Sequence, residues 1–242
     1  MMDDKTRAHR FLTGLEGELT KLLPEPMQMQ AHVATRAEDG TVGESPSKIR
    51  ENKFIYFALP IITDYMQTIK GIGPSKARQS MLCEYHKKVR NSSGNPFRRV
   101  GHPFRKNSNL DVDKIMQSWT KEAKAPLNQA YPDFGVRPPF PHKIVFEAKY
   151  FCANGQAAAN KVLVEGAYET MFYRGLPANS DRSEPGWDYD YGCLLAYDAS
   201  EGGLLKEAWD KVMCKDTFWD GGNIFVMIIR GQGHALVPGR SA

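Results

Sequence analysis

Apolar side chains recur at helical spacing over residues 8–23, at Phe11, Leu12, Leu15, Leu19, Leu22 and Leu23, and predict an amphipathic helix. Pro24 and Pro26 end it. Residues 25–46 carry few large apolar side chains and include Gly40, Gly43 and Pro46, the pattern of a long loop. A second helical stretch is expected from near Ser47 to about Lys70, broken or kinked at Pro60. Gly71-Ile72-Gly73-Pro74 reads as a turn, with a further helix running to about Val89. Residues 107–124 return to helical patterning, with Val112, Ile115, Met116 and Trp119 on one side.

The second half changes character. Residues 131–136 fit a short strand, and Lys143 to Phe151 (KIVFEAKYF) a longer one rich in β-branched and aromatic side chains. Asn154 is placed to cap a following helix. In that helix Ala159, Leu163, Ala167 and Met171 recur every four residues beside Val164, Tyr168 and Phe172, and Gly175 and Pro177 stop it. Residues 191–197 (YGCLLAY) and 223–229 (NIFVMII) read as buried strands on either side of an amphipathic helix over 204–213. The order strand, strand, helix, strand, helix, strand argues for an α/β fold: a mixed β-sheet flanked by helices, with a helical N-terminal part. The expected division is residues 1–108 (helical, with a basic loop) and 109–242 (sheet-forming), packed as one domain.

Composition narrows the classes. Hydrophobic residues at 41% and charged residues at 25% are ordinary for a globular chain, which excludes collagen-like, coiled-coil and wholly disordered readings. No apolar run reaches the roughly 18 residues of a membrane span. The opening MMDDKTRAHRF has no apolar core behind its charges, so a cytoplasmic location is expected. Cys83, Cys152, Cys193 and Cys214 show no CxxC or zinc spacing and are expected as reduced, mostly buried thiols.

Candidate chemistry gathers in two adjacent stretches, Tyr131-Pro132-Asp133-Phe134-Gly135 and Val145-Phe146-Glu147-Ala148-Lys149. Period-2 geometry puts Glu147 and Lys149 on one face of their strand. A short hairpin would bring Asp133 beside Glu147. An acid and a lysine in an otherwise apolar strand cost several kcal/mol unless paired or bound to metal. Two close carboxylates repel, and a divalent cation relieves the repulsion. Magnesium suits such a site, because it takes a few carboxylates plus water and phosphate oxygens. The plain alternative is a surface salt bridge between Glu147 and Lys149 on an exposed strand face.

Pro132-Asp133 with Glu147-Ala148-Lys149, followed by a helix and another strand, resembles the PD-(D/E)XK nuclease superfamily, most closely its type II restriction endonucleases. The resemblance implies a restriction-endonuclease-like core and a magnesium-dependent endonuclease acting on double-stranded DNA, with manganese as a substitute. It implies that Asp133, Glu147 and the Ala148 backbone carbonyl ligate the metal, and that Lys149 orients or activates the attacking water. Many members add an acid from a helix before the first strand; Glu122 is the nearest candidate and Glu51 another. A homodimer with two active sites is expected, a monomer being the alternative, and a cognate DNA methyltransferase is implied in the host. The competing readings are a structure-specific or non-specific repair nuclease of the same fold and a DNA-binding protein without catalysis.

Residues 86–106 hold Lys87, Lys88, Arg90, Arg98, Arg99, Arg105 and Lys106 and no acid, interleaved with Phe97 and Phe104. The block is either a phosphate-binding wall, weakening as salt rises, or a solvated loop. Gly71, Gly73 and Lys76 lie in a Gly-Ile-Gly turn with Ala77 four beyond the second glycine. That pattern resembles the hairpin of helix-hairpin-helix motifs; the plain alternative is a Gly-Pro turn between helices. Asp188-Tyr189-Asp190 reads as a turn cluster, and His86 with His102 lacks the framework of an HNH site.

Overall fold

The structure is a computed structural model and describes residues 3–33, 46–83, 133–175 and 189–233. The expected helix over 107–124 lies outside the described residues.

Helix α1 (Asp4–Leu22) starts where sequence chemistry requires: the Asp3 carboxylate accepts the Thr6 N–H at 2.7 Å, and Asp4 adds a negative charge to the first turn. Its buried stripe is Ala8, Phe11, Leu12, Leu15 and Leu19. Residues 25–33 do not form the expected loop. Pro26 opens a second helix, α2 (Pro26–Val33), as its fixed φ allows at a first helical position, and Met29 and Val33 anchor it in the core. Helix α3 (Pro46–Met66) carries Pro60 inside it and packs against both α1 and α2. After the Gly71–Gly73 turn, α4 (Pro74–Ser80) stops well short of Val89, and residues 81–83 become strand β1 (Met81–Cys83). Three residues are too few for periodicity to announce a strand, and β1 exists through its partner.

The other strands are β2 (Phe134–Val136), β3 (Ile144–Phe151), β4 (Tyr191–Asp198) and β5 (Ile224–Ile229). They form a five-stranded sheet in the order β1-β2-β3-β4-β5. β1, β2 and β3 run antiparallel; β3, β4 and β5 run parallel. The β3–β4 crossover is α5 (Gln156–Gly175), and the β4–β5 crossover holds a 3-10 turn (Glu201–Gly203), α6 (Leu204–Asp210) and α7 (Asp216–Asp220). α5 starts after Gly155, whose carbonyl accepts the Ala159 N–H, so Gly155 takes the capping position expected of Asn154. Because β1 pairs with β2, the sheet joins the parts expected on either side of residue 108.

Both faces of the sheet are covered. Ile144, Phe146, Ala148 and Tyr150 of β3 and Cys193, Leu195 and Tyr197 of β4 pack with α1, α2 and α3. The alternate residues Phe151, Leu194 and Ala196 pack with Ala159 and Leu163 of α5 and Leu205 and Ala208 of α6. This is a mixed α/β architecture with helices on both sides of the sheet. The buried face of α5 is Ala159, Leu163, Gly166 and Thr170, not the expected row ending in Ala167 and Met171. A Cβ on Gly166 would stand 2.6 Å from Leu194 Cδ1, so the missing side chain sets both the face and the close approach. Met171, with Val164 and Tyr168, is left exposed. Of the cysteines expected to be mostly buried, Cys193 is buried, Cys152 half-buried and Cys214 exposed, all as free thiols. No helix among the described residues is long and apolar enough to cross a membrane.

Candidate functional site

β3 is buried along nearly its whole length, and in the middle of it sit Glu147, 4% exposed, and the half-buried Lys149. The register pairs Phe134 with Phe146, which sets Asp133, the residue before β2, opposite Glu147. β2 covers β3 only as far as Phe146, and past it the Asp133 carboxylate takes the Ala148 N–H at 2.8 Å. A strand residue's N–H and C=O point to the same edge, so the Ala148 carbonyl faces the edge on which Asp133 lies. Asp133 itself is 6% exposed.

Glu147 and Lys149 face the α5 layer. Lys149 Nζ donates to Glu147 Oε1 at 2.7 Å, lies 2.6 Å from Glu169 Oε2 of α5 and 3.9 Å from Glu51 Oε2 of α3. One ammonium is thus approached by carboxylates from three elements. Burial alone would lower the Lys149 pKa; Glu147 and Glu51 outweigh it, and the group is held above its ordinary value. Tyr173, one turn beyond Glu169, is pushed up by burial and then by the carboxylates of Glu147, Glu169 and Asp133. Its phenol therefore shares one neighbourhood with all three acids and Lys149. A solvated salt bridge on an open strand face does not describe this arrangement, since Lys149 and Glu147 are 14% and 5% exposed in their side chains.

The donors available to a metal are hard oxygens: the Asp133 and Glu147 carboxylates and the Ala148 carbonyl. Among the described residues no three His, Cys, Asp or Glu side chains form a group able to hold an ion by themselves. Two carboxylates with a backbone carbonyl fit magnesium, which leaves the rest of its shell to water and substrate phosphate.

Of the acids named from sequence as a third partner, Glu51 comes to Lys149, while Glu122 lies outside the described residues. The basic side chains Lys87, Lys88, Arg90, Arg98, Arg99, Arg105 and Lys106, and His86, His102 and Asp188, also lie outside them. Gly71, Gly73 and Lys76 are found in the turn between α3 and α4. Gly71 has φ +87°, a Cβ on either glycine would meet open space, and Lys76 Nζ donates to the Gly71 carbonyl at 3.2 Å. Glu169 and Tyr173 were not visible in the sequence. The only signal for them is the break of the apolar rows at Gly166 and Thr170, which turns both residues toward β3.

The chain matches no protein-family model, no curated protein and no solved structure.

Proposed function

We propose that the chain is a magnesium-dependent endonuclease of the PD-(D/E)XK type, hydrolysing phosphodiester bonds of double-stranded DNA, and that it acts at specific sites as a type II restriction enzyme does. The observation that carries this reading is the meeting of Asp133, Glu147 and Lys149: two buried carboxylates set opposite each other, one just before β2 and one within β3, with an ammonium two residues along the same face. The helix after Lys149 and the parallel strand beyond it are the order that the resemblance implies.

Asp133, Glu147 and the Ala148 carbonyl would hold the magnesium. When bound, the ion supplies positive charge to the phosphodiester oxygens and makes water a better nucleophile. The chain's own residues do the rest. Asp133 and Glu147 fix where charge is concentrated, and the Asp133 bond to the Ala148 N–H fixes the carboxylate against the strand. Lys149 places a positive charge beside the attacked phosphate, where negative charge grows during displacement. The buried floor formed by β3 and α5 limits water around these groups. The reading also carries two partners: a second copy of the chain, so that both strands are cut, and a methyltransferase that protects host DNA.

The test is incubation of mixed-sequence plasmid and genomic DNA with the full chain, in magnesium or EDTA, beside Lys149→Ala. Discrete fragments formed only with metal and only by the unmutated chain are expected. A metal-dependent smear would replace site specificity with a non-specific nuclease of the same type. Intact DNA in both magnesium and manganese would overturn the proposal.

A further inference from the structure

Lys149 has a competition to resolve. Its ammonium makes two short contacts, with Glu147 at 2.7 Å and Glu169 at 2.6 Å, while Glu51 is at 3.9 Å. In the proposed reaction Glu147 is drawn to a divalent cation. Its charge is then shared, and the cation repels the ammonium beside it. Glu169 is the other short contact of Lys149 among the described residues. It sits on a long helix held close to the lysine: a Cβ at Gly166, one turn earlier, would lie 3.2 Å from Lys149 Cγ. Its side chain is 42% exposed as a whole, while the Oε2 that faces Lys149 is buried.

Resting on the nuclease reading, we infer that Glu169 is the positioning residue that keeps the Lys149 ammonium in place once Glu147 engages a divalent cation. Glu51 does not serve this purpose at its distance. At 3.9 Å it acts on the ammonium through its charge and not through a hydrogen bond. Glu165 on the same helix as Glu169 pairs with the exposed Lys161 at 3.6 Å and supplies a control.

The experiment has two arms on the full chain, each comparing the unmutated protein with Glu169→Gln, Glu169→Asp and Glu165→Gln. In the first, Lys149 is acetylated with limiting acetic anhydride, with and without saturating magnesium, and its modification is measured by mass spectrometry. Magnesium is expected to speed labelling of Lys149 in Glu169→Gln by about tenfold, with less than about a twofold change in the unmutated chain and in Glu165→Gln. In the second, steady-state cutting is measured. kcat is expected to fall on the order of 10- to 100-fold in Glu169→Gln with KM nearly constant, and Glu169→Asp is expected to recover part of it. Should Glu169→Gln fail to fold by circular dichroism, Glu169→Asp carries both arms, with a smaller change of the same sign. Lys149 labelling insensitive to magnesium in the variants would overturn the inference, as would a rise in KM alone. If the unmutated chain cuts no DNA, the nuclease reading falls, and the labelling arm still decides whether Glu169 holds the ammonium.

Discussion

At Lys149 one ammonium is approached by the carboxylates of Glu147, Glu169 and Glu51. Removing the ammonium takes the 2.7 Å hydrogen bond from a Glu147 side chain that is 5% exposed. Lys149→Met is expected to lose about 2–4 kcal/mol of stability by urea unfolding at neutral pH. The folded pKa of Lys149 is raised above its ordinary 10.5, so its stabilisation is complete below that value and is lost only as pH rises through the folded value. The gap between the two proteins should therefore be equal at pH 7.5 and pH 9. His142 behaves in the opposite sense. Burial lowers its pKa below the ordinary 6.5 despite Asp4, whose Oδ1 is 3.4 Å from Nδ1. Below 6.5 the unfolded chain takes up a proton that the folded chain resists, so stability falls as pH falls from 7 toward 5. His142→Phe, which keeps the ring packing with Phe11 and Phe140, should lose less over that window in urea titrations. Much of this site is legible in the residues: period-2 spacing joins Glu147 to Lys149, and a hairpin sets Asp133 across from Glu147. Glu169 and Tyr173 are not, because they depend on the face α5 turns to the sheet.

At the scale of elements, the decisive contact is α5 against β3 and β4, and Gly166 permits it. Gly166→Val would press branched methyls into Leu194 and the Lys149 stem. The expected cost is about 1–3 kcal/mol in a thermal or urea melt, together with loss of cutting if the nuclease reading holds. The parallel strands and long helices follow from local pattern, since strands of six to eight mostly apolar residues and i, i+4 stripes declare themselves. The α5 face does not follow: its apolar residues exceed what the sheet can cover, and the most apolar row is not the one that buries. α2 and β1 were missed for a related reason. α2 is short and interrupted by Gln28, Gln30 and His32, and β1 is a three-residue strand sustained by pairing with residues more than fifty positions later.

For the whole molecule, metal binding is also a stability event, because a ligand bound only by the folded state raises its melting temperature. Saturating magnesium should raise the melting temperature of the unmutated chain in scanning calorimetry and leave that of Asp133→Asn unchanged. Asn can still accept the Ala148 N–H, so the variant without metal should lie within about 1 kcal/mol of the unmutated chain. The sheet is closed against α1 by the stretch after β5. Gln232 donates its N–H to the Thr20 carbonyl, Gly233 bridges to Pro24, and a side chain on Gly231 would overlap the carbonyls of Leu23 and Pro24. Helix α1 is thus fastened by residues made about two hundred positions later. Until they emerge, the leucines of α1 lack part of their cover, and a nascent chain stalled before Ile224 would present them to any other sticky surface nearby.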